Sequence, residues 1–293
     1  MKLARFLGAD GVRLGIVRGD EIIDLTAAGL PLRRMRDVIE AGNPGLDLVG
    51  AHADGPRHPL AAVRLLPPVE RPGKYLAIGL NYRAHLGELE GRDPPPSQGQ
   101  RWFNKQTSCI NGPFDPIDPG VSEQLDYEVE LGVVIGRAAK HVRSADALEH
   151  VFGYLVANDL SARDWQFRSP TVTIGKSFDT YGPIGPWIVT ADDIPDPQDL
   201  GLRCIVNGEV RQEARTSDMM VGVAEQIAYL STAFTLEPGD LIATGTPEGV
   251  GFAMSPPSFL RDGDVVRCEI DGIGAIENRI RTKPEPRQGW PVE

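Results

Sequence analysis

The sequence has few cysteines and no long apolar run. Cys109, Cys204 and Cys268 are the three cysteines in 293 residues, and no C-x-x-C pair occurs. This spacing excludes a structural zinc site and thioredoxin-like redox chemistry. No run of about 18 apolar residues could form a transmembrane helix, and no charged-then-apolar leader follows Met1. We therefore expect a cytoplasmic protein that does not enter a membrane.

Positive charge is also scarce. The chain has 30 lysines and arginines against 41 aspartates and glutamates, a formal net charge of −11. A surface of this sign repels phosphate backbones and anionic lipid headgroups. We therefore expect neither nucleic acids nor membranes as partners.

Glycine and proline, in contrast, are abundant. The 33 glycines and 25 prolines make up about a fifth of the chain, against an ordinary share of about an eighth. No G-x-y period is present and 41% of residues are apolar, which excludes collagen and disorder. The composition predicts many tight turns and short strands, and it excludes a helical bundle.

The length predicts about two domains. Near the N-terminus, the short apolar segments Leu3–Leu7, Val12–Arg18 and Glu21–Leu25 are separated by glycine-containing turns, which is typical of hairpins. A helix is predicted over Leu32–Ala41, ending at Gly42-Asn-Pro-Gly45. The predicted division is a small β-rich domain at 1–66, a linker at 67–73, a catalytic domain at 74–283 and a proline-rich tail at 284–293.

The larger domain contains recurrent apolar runs and few helices. Helices are predicted at Ala145–Phe152 and Val221–Leu230. The residues 89–100, which include Arg-Asp-Pro-Pro-Pro-Ser-Gln-Gly, predict a mobile loop of the kind that often covers a site. Strands are predicted at Tyr75–Leu80, Tyr127–Ile135, Gly153–Asn158, Trp187–Thr190, Leu202–Val206, Leu241–Thr244 and Val265–Ile270.

Glycine-rich segments do not match nucleotide-binding motifs. Gly175-Lys-Ser177 has the end of a P-loop, but Pro170 occupies the position of the required earlier glycine. Gly272-x-Gly274 is followed by Glu277 where a dinucleotide fingerprint has glycine. We expect no nucleotide cofactor.

Three carboxylates alternate along one predicted strand, Leu125-Asp-Tyr-Glu-Val-Glu-Leu131. A period of two places Asp126, Glu128 and Glu130 on one face, about 6.5–7 Å apart along the strand. Carboxylates so crowded repel one another unless a positive charge lies between them. Either an oxygen-bound Mg²⁺, Mn²⁺ or Ca²⁺ neutralises them, or the strand is an acidic edge that faces water.

Asp159 directly follows the apolar strand predicted over Gly153–Asn158. It can stand at the rim of the sheet as a site residue, or it can cap the helical turn predicted over Leu160–Gln166. His85 and Glu88 are three residues apart in a predicted helical turn and can share one face. The carboxylate can then orient the imidazole as a general base, although a lone histidine can also be purely structural.

Two further segments offer positive charge or backbone amides. Lys176, in Gly-Lys-Ser-Phe-Asp, can be a surface charge or an anchor for an anion. The backbone amides of Thr244-Gly-Thr-Pro-Glu-Gly-Val-Gly251 can cradle a carboxylate or enolate oxygen, or the segment can be a simple glycine-rich turn.

Together, five motifs resemble those of the fumarylacetoacetate hydrolase family, in the order expected and over about residues 74–281. The residues 1–66 also resemble the small domain that often precedes the family's catalytic domain. The resemblance implies a mixed, β-rich α+β fold, the family's β-roll, which is usually dimeric, so a homodimer is expected. The motifs are Gly79-Leu-Asn-Tyr-Arg-Ala-His85, Asp126-Tyr-Glu-Val-Glu-Leu131, Ala157-Asn-Asp-Leu-Ser-Ala-Arg-Asp-Trp-Gln166, Gly175-Lys-Ser-Phe-Asp179 and Thr244-Gly-Thr-Pro-Glu-Gly-Val-Gly251.

The resemblance also implies residue roles. Glu128, Glu130 and Asp159 would hold Mg²⁺ or Mn²⁺, whereas Asp126 lies beside the ligand motif and is not expected to be a ligand. The general-base pair would be His85 and Glu88. One departure is Phe103-Asn-Lys-Gln, where many members have Lys-Pro, in a region that varies with substrate. The positions that match substrate contacts are Tyr82, Arg163, Gln166, Lys176, Gly245 and Thr246.

Such a site implies chemistry on a 2-oxo acid. The acid chelates the cation through its carboxylate and keto oxygens, which stabilises an enolate when a bond to C3 breaks. We expect a hydrolase that cleaves the C3–C4 bond of a 2,4-dioxo acid, either an acylpyruvate or a diketo sugar acid, and releases pyruvate. His85 would deprotonate a water molecule, Glu88 would hold the imidazolium, and Lys176 would face the developing oxyanion.

Other functions use the same arrangement. An oxaloacetate decarboxylase needs no hydrolytic water, and an isomerase or hydratase of a 2-oxo-alkenedioate in aromatic-acid catabolism uses the same enolisation. A non-catalytic binding protein on this fold would be favoured by loss of His85 or of a metal-binding carboxylate, and all of these residues are present.

Overall fold

The computed structural model describes residues 1–88 and 99–282, in which strands outnumber helices. The predicted mobile loop at 89–100, apart from its last two residues, and the proline-rich tail lie outside the described residues. The strands are β1 Lys2–Gly8, β2 Gly11–Arg18, β3 Glu21–Asp24, β4 Arg57–Pro59, β5 Arg64–Leu66, β6 Tyr75–Gly79, β7 Arg101–Asn104, β8 Ile110–Asn111, β9 Leu125–Asp126, β10 Val129–Ile135, β11 Val151–Asn158, β12 Ser161–Ala162, β13 Gly182–Thr190, β14 Gly201–Val206, β15 Glu209–Arg215, β16 Leu241–Ala243, β17 Val265–Ile270 and β18 Gly274–Arg279.

The helices are short. The five α-helices are α1 Met35–Ala41, α2 Asn43–Ala51, α3 Arg83–Glu88, α4 Arg163–Gln166 and α5 Val223–Ala233. Six 3-10 turns are Leu60–Ala62, Thr107–Cys109, Ser144–His150, Ala191–Asp193, Thr216–Asp218 and Gly251–Ala253. Within the described residues, no helix is long and apolar enough to cross a membrane.

Twelve strands form one large sheet. Its main path runs β4-β3-β2-β1-β13-β11-β10-β16-β6-β7, with β5 beside β1 and β8 beside β13. A four-stranded sheet, β15-β14-β17-β18, packs against β10, β11 and β13, and β9 pairs with β12. The mixed, β-rich α+β fold is the one predicted.

The central strands β10 and β11 are buried along their whole length. Because both of their faces are covered, they consist of almost continuous apolar residues instead of an apolar–polar alternation. Their antiparallel register pairs Val129 with Asn158 and Glu130 with Ala157. Glu130, near the start of β10, therefore lies close to Asp159, the residue that follows β11.

Two predicted helices differ from the structure. Leu32–Ala41 becomes the shorter α1, and Gly42-Asn-Pro-Gly45 both ends α1 and opens α2, since a proline is favourable in the first turn of a helix. Ala145–Phe152 is a 3-10 helix that ends at His150, after which the chain enters β11. β-branched Val151 and aromatic Phe152 suit the strand better than a helix.

The N-terminal strands join the large sheet. β1 pairs with β2 on one side and with β13 on the other, in the register Lys2 to Val189 and Leu3 to Ile188. Leu3 and Leu14 are buried in the same apolar core as the central strands. The segment 1–66 therefore shares both a sheet and a core with the rest of the chain.

Candidate active site

Three carboxylates meet where β10 begins and β11 ends. Glu128, Glu130 and Asp159 each place one oxygen so that all three oxygens lie within 4.8 Å of one another. The three residues are 5%, 1% and 0% exposed, respectively. This burial excludes the alternative of an acidic edge facing water.

Two of these acids have cationic partners. Lys176 Nζ donates to Glu128 Oε2 at 2.7 Å and to Asp159 Oδ2 at 2.8 Å. Burial raises the pKa of Glu128, but Lys176, Arg163 and His85 outweigh it and lower that pKa to about 2. Burial also lowers the pKa of Lys176, and the carboxylates of Asp159 and Glu128 outweigh it, so the net shift is upward. Lys176 is therefore a buried cation of the site and not a surface charge.

Glu130 is in a different electrostatic state. Burial raises its pKa well above the usual range, and the neighbouring charges of Asp159 and Glu128 raise it further. Its Oε2 accepts a hydrogen bond from the Gly245 amide at 2.7 Å, but no lysine or arginine of the described segments forms an ion pair with it. Three buried, hard oxygen donors with one acid lacking a cation fit an oxygen-preferring divalent ion such as Mg²⁺ or Mn²⁺.

Asp159 does not cap a helix. The helix α4 starts after Ala162, whose extended backbone precedes the first turn. The Asp159 carboxylate instead accepts hydrogen bonds from two lysines, Lys105 and Lys176. Lys105 was not among the predicted site residues, although it belongs to the segment Phe103-Asn-Lys-Gln that departs from the family pattern.

His85 and Glu88 form the pair predicted from their spacing. His85 Nδ1 lies 2.7 Å from Glu88 Oε1 on the helix α3, and Glu88 Oε2 accepts a hydrogen bond from the Gly249 amide at 2.9 Å. Because Nδ1 faces the carboxylate, Nε2 is the nitrogen left for proton exchange with a ligand. His85 is buried and lines the same cavity as Glu128 and Lys176.

The glycine-rich segment 244–251 holds the acidic strand in place. The Gly245 amide is used by Glu130, so it is not presented to a substrate. Thr246 Oγ1 donates to Val129 O at 3.0 Å and accepts from Gln212 Nε2 at 2.8 Å, and Thr246 also lines the cavity. Gln212, which sequence reasoning missed, ties β15 to β10 through the Val129 amide.

Asp126 organises its surroundings instead of joining the acid cluster. Its oxygens accept hydrogen bonds from the amides of Gly251 and Phe252 and from Arg163 Nε, at 2.8–2.9 Å. The Arg163 guanidinium also contacts Glu128 at 2.7 Å and donates to Gln166 Oε1 at 2.9 Å. The Arg163 guanidinium thus orients the carboxylates of Asp126 and Glu128 and the side-chain amide of Gln166 at the cavity wall.

Tyr82 is separate from the other predicted substrate contacts. Its ring is buried and its hydroxyl has no hydrogen-bond partner in the described part of the chain. The residue is not part of the cavity wall. Burial, followed by the charge of Glu130, raises the pKa of this phenol.

The cavity is lined by both polar and apolar side chains. Its volume is about 620 Å³, and its polar lining residues include His85, Glu128, Lys176, Gln166 and Thr246. Its apolar lining residues include Ile78, Leu80, Trp102, Phe103, Phe167, Val172, Val250 and Phe252. The imidazole of His85, the ammonium of Lys176 and the carboxylate of Glu128 therefore line one space large enough for a small organic acid.

Similarity to known proteins agrees with this geometry. The family model described as "Fumarylacetoacetate (FAA) hydrolase C-terminal" matches residues 74–281, and the model "Rv2993c-like, N-terminal" matches residues 1–68. "Oxaloacetate tautomerase fahd2, mitochondrial" of Xenopus laevis is 44% identical over 291 residues, covering 96% of this chain and 90% of that protein.

Two solved structures share the whole fold. A fumarylacetoacetate hydrolase from Exiguobacterium antarcticum superposes with a TM-score of 0.85 at 38% identity, covering 97% of this chain and all of that one. A maleylpyruvate hydrolase from Sphingobium sp. SYK-6, in complex with manganese(II) and pyruvate, superposes with a TM-score of 0.81 at 36% identity over 96% and 99% of the two chains. The chain is therefore an enzyme of the metal-dependent fumarylacetoacetate hydrolase family.

Proposed function

We propose that this enzyme interconverts the enol and keto forms of oxaloacetate or of a closely related 2-oxo dicarboxylic acid. The observation that supports this most directly is that His85, Glu128 and Lys176 line a single cavity, with Glu130 and Asp159 directly behind. The proposal also draws on the relative of 44% identity, whose name gives oxaloacetate tautomerase as its activity.

Different residues would bind the metal, transfer the proton and stabilise the developing charge. Glu128, Glu130 and Asp159 would hold Mg²⁺ or Mn²⁺, which when bound would supply a Lewis acid that polarises the keto and carboxylate oxygens of the substrate. His85 Nε2 would take up and return the proton that moves between the enol oxygen and C3. Glu88 would stabilise the imidazolium through Nδ1, and the ammonium of Lys176 would face the oxygen on which negative charge develops.

Tautomerisation can be measured directly. The enol form of oxaloacetate is added to the protein with Mn²⁺ or Mg²⁺, and the keto form is trapped by malate dehydrogenase and NADH. We expect a rate above that of the metal in buffer alone. His85→Gln should abolish this acceleration while Mn²⁺ binding stays unchanged, and His150→Gln, which lies away from the cavity, should behave as wild type.

The same assay separates the alternatives. If wild-type protein with either metal does not accelerate enol-to-keto conversion, the tautomerase proposal is wrong. Release of pyruvate from oxaloacetate above the metal-only rate would instead favour the decarboxylase. An unchanged rate in His85→Gln would remove the histidine from the mechanism.

A second candidate, hydrolysis of an acylpyruvate, is favoured by the cavity. Its volume of about 620 Å³ and its walls of Trp102, Phe103 and Phe252 offer space and apolar contact that a four-carbon acid does not use. Pyruvate release from acylpyruvates with short and bulky acyl groups, followed with lactate dehydrogenase, tests this function. Turnover that rises with acyl size would support it, and no turnover would exclude it.

The location of the enzyme stays a prediction. The sequence favours the cytoplasm, whereas the Xenopus relative has "mitochondrial" in its name. The proposed partner is a small 2-oxo acid, in keeping with the pyruvate present in the maleylpyruvate hydrolase structure.

A further inference from the structure

Lys105 is a fully buried lysine whose ammonium faces the acid cluster from behind. Its Nζ donates to Asp159 Oδ1 at 2.5 Å, to the backbone oxygen of Leu160 at 3.4 Å and to the backbone oxygen of Lys176. The side chain has no exposed surface, and it is not among the residues that line the cavity. Its contacts at the site are therefore with Asp159 and the backbone.

Two lysines bind the same carboxylate from different sides. Lys176 donates to Asp159 Oδ2 and lines the cavity, whereas Lys105 donates to Oδ1. Together the two hydrogen bonds fix the orientation of the Asp159 carboxylate. Lys105 also donates to the backbone oxygen of Lys176.

A buried ammonium is expensive to keep. Removing a charge from water is strongly unfavourable unless acceptors replace the lost hydration. Lys105 has a carboxylate and two carbonyls as acceptors, contributed by residues 54 to 71 positions away in the chain. The lysine therefore holds the Asp159 carboxylate and the two backbone oxygens in fixed relative positions.

We propose that Lys105 is a positioning residue that orients Asp159 for binding of the divalent cation. The inference rests on the metal site of the proposed function but not on the reaction. Its positive charge alone would weaken cation binding, because like charges repel. Its hydrogen bonds would strengthen binding by fixing the direction of the ligand, in the way that partners of metal ligands do elsewhere. We infer that the orienting effect is the larger one.

The two effects predict opposite results for Lys105→Met. Loss of orientation should weaken Mn²⁺ binding about 10- to 100-fold, whereas loss of charge alone should tighten it. Binding is measured on the metal-free full-length protein by titration calorimetry and by the electron paramagnetic resonance signal of free Mn²⁺. Neither readout uses a substrate, so failure of the tautomerase assay would leave this result interpretable.

A matched control exists at Lys140. Its Nζ also donates to two backbone oxygens, those of Thr232 and Ala233, but on the exposed surface. Lys140→Met should leave Mn²⁺ affinity unchanged. Lys105→Arg keeps the charge but alters the donor geometry, so it should also weaken Mn²⁺ binding, and it provides the test if Lys105→Met does not fold.

The kinetic pattern distinguishes positioning from direct catalysis. At saturating Mn²⁺, Lys105→Met should recover most of the wild-type kcat, whereas Lys176→Met should not, since Lys176 faces the substrate. Unchanged or tighter Mn²⁺ binding in folded Lys105→Met, or in folded Lys105→Arg where the Met variant fails to fold, would overturn the proposal.

Discussion

Glu130 differs from the other two carboxylates of the site in its neighbours. Glu128 and Asp159 each contact Lys176, whereas the described residues offer Glu130 only the Gly245 amide at 2.7 Å. Burial and the two adjacent acids raise its pKa well above the usual range. The ionised form is therefore disfavoured in the metal-free protein, and a bound cation would remove that penalty.

Glu130→Gln should separate folding from metal binding. The amide has nearly the same shape and no charge, so the metal-free variant should have a Tm equal to or above that of wild type. In wild type, Mn²⁺ at about 100 times its Kd should add about 2.7 kcal/mol to the unfolding free energy, and this gain should vanish in the variant. Differential scanning calorimetry with and without Mn²⁺ measures both effects.

The control is Glu149→Gln, an exposed acid that should leave the Mn²⁺ response intact. A Mn²⁺-dependent rise in the Tm of Glu130→Gln equal to that of wild type would show that this carboxylate is not a ligand.

How far the sequence predicts the site depends on how local each contact is. The spacing of His85 and Glu88 on one helical turn was sufficient to predict their 2.7 Å contact. Lys105 and Gln212 could not be predicted, because each meets its partners across more than 30 residues. Their contacts depend on how strands far apart in the chain are brought together, which periodicity does not specify.

At the scale of elements, the glycine-rich segment and α3 depend on each other. Glu88 Oε2 accepts from the Gly249 amide, so the segment holds the carboxylate that orients His85. Gly249 has φ of +96°, and a Cβ there would lie 1.9 Å from the backbone oxygen of Arg211. Only glycine fits this position without moving the backbone.

Gly249→Ala should therefore reduce activity without removing the metal site. The added methyl group would push the amide away from Glu88 and release the orientation of His85. We expect kcat to fall about 10- to 100-fold, as for other residues that orient a reacting group, with Mn²⁺ affinity unchanged. Steady-state kinetics and Mn²⁺ titration of the same preparation make the comparison.

Gly239→Ala is the control, because Gly239 also has a positive φ, +87°, but open space around it. It should lose some stability and keep its kcat. If both variants lose activity equally, backbone strain and not the contact with Glu88 is the cause.

Element boundaries illustrate what sequence patterns leave open. Strand positions such as Val265–Ile270 were predicted at the residues observed, because alternation and turns define them. The predicted helix Ala145–Phe152 is a 3-10 turn followed by β11. Short apolar segments suit either structure, and pairing with β10 and β13 decides for the strand.

At the scale of the whole molecule, the predicted N-terminal domain and the catalytic domain share structure. β1 pairs with β13, and Arg5 Nη1 donates to the backbone oxygen of Pro67, in the predicted linker, at 2.7 Å. Arg64 also forms an ion pair of 2.9 Å with Asp115. Separating the two parts would leave the backbone edge of β13 unpaired and expose apolar core residues such as Leu3.

We therefore predict that residues 1–66 and the rest of the described chain unfold in a single transition. The midpoint of chemical denaturation followed by circular dichroism should equal the midpoint at which the amides of β2 lose protection from hydrogen exchange, measured by mass spectrometry. Both methods report the loss of one sheet. Leu3→Ala, which empties a fully buried position beside Ile188, should cost about 2–5 kcal/mol of unfolding free energy and lower both midpoints together. A transition confined to β2 at lower denaturant concentration would show that the N-terminal segment is an independent domain. Its strand pairing with the catalytic part would then separate before the rest of the sheet unfolds.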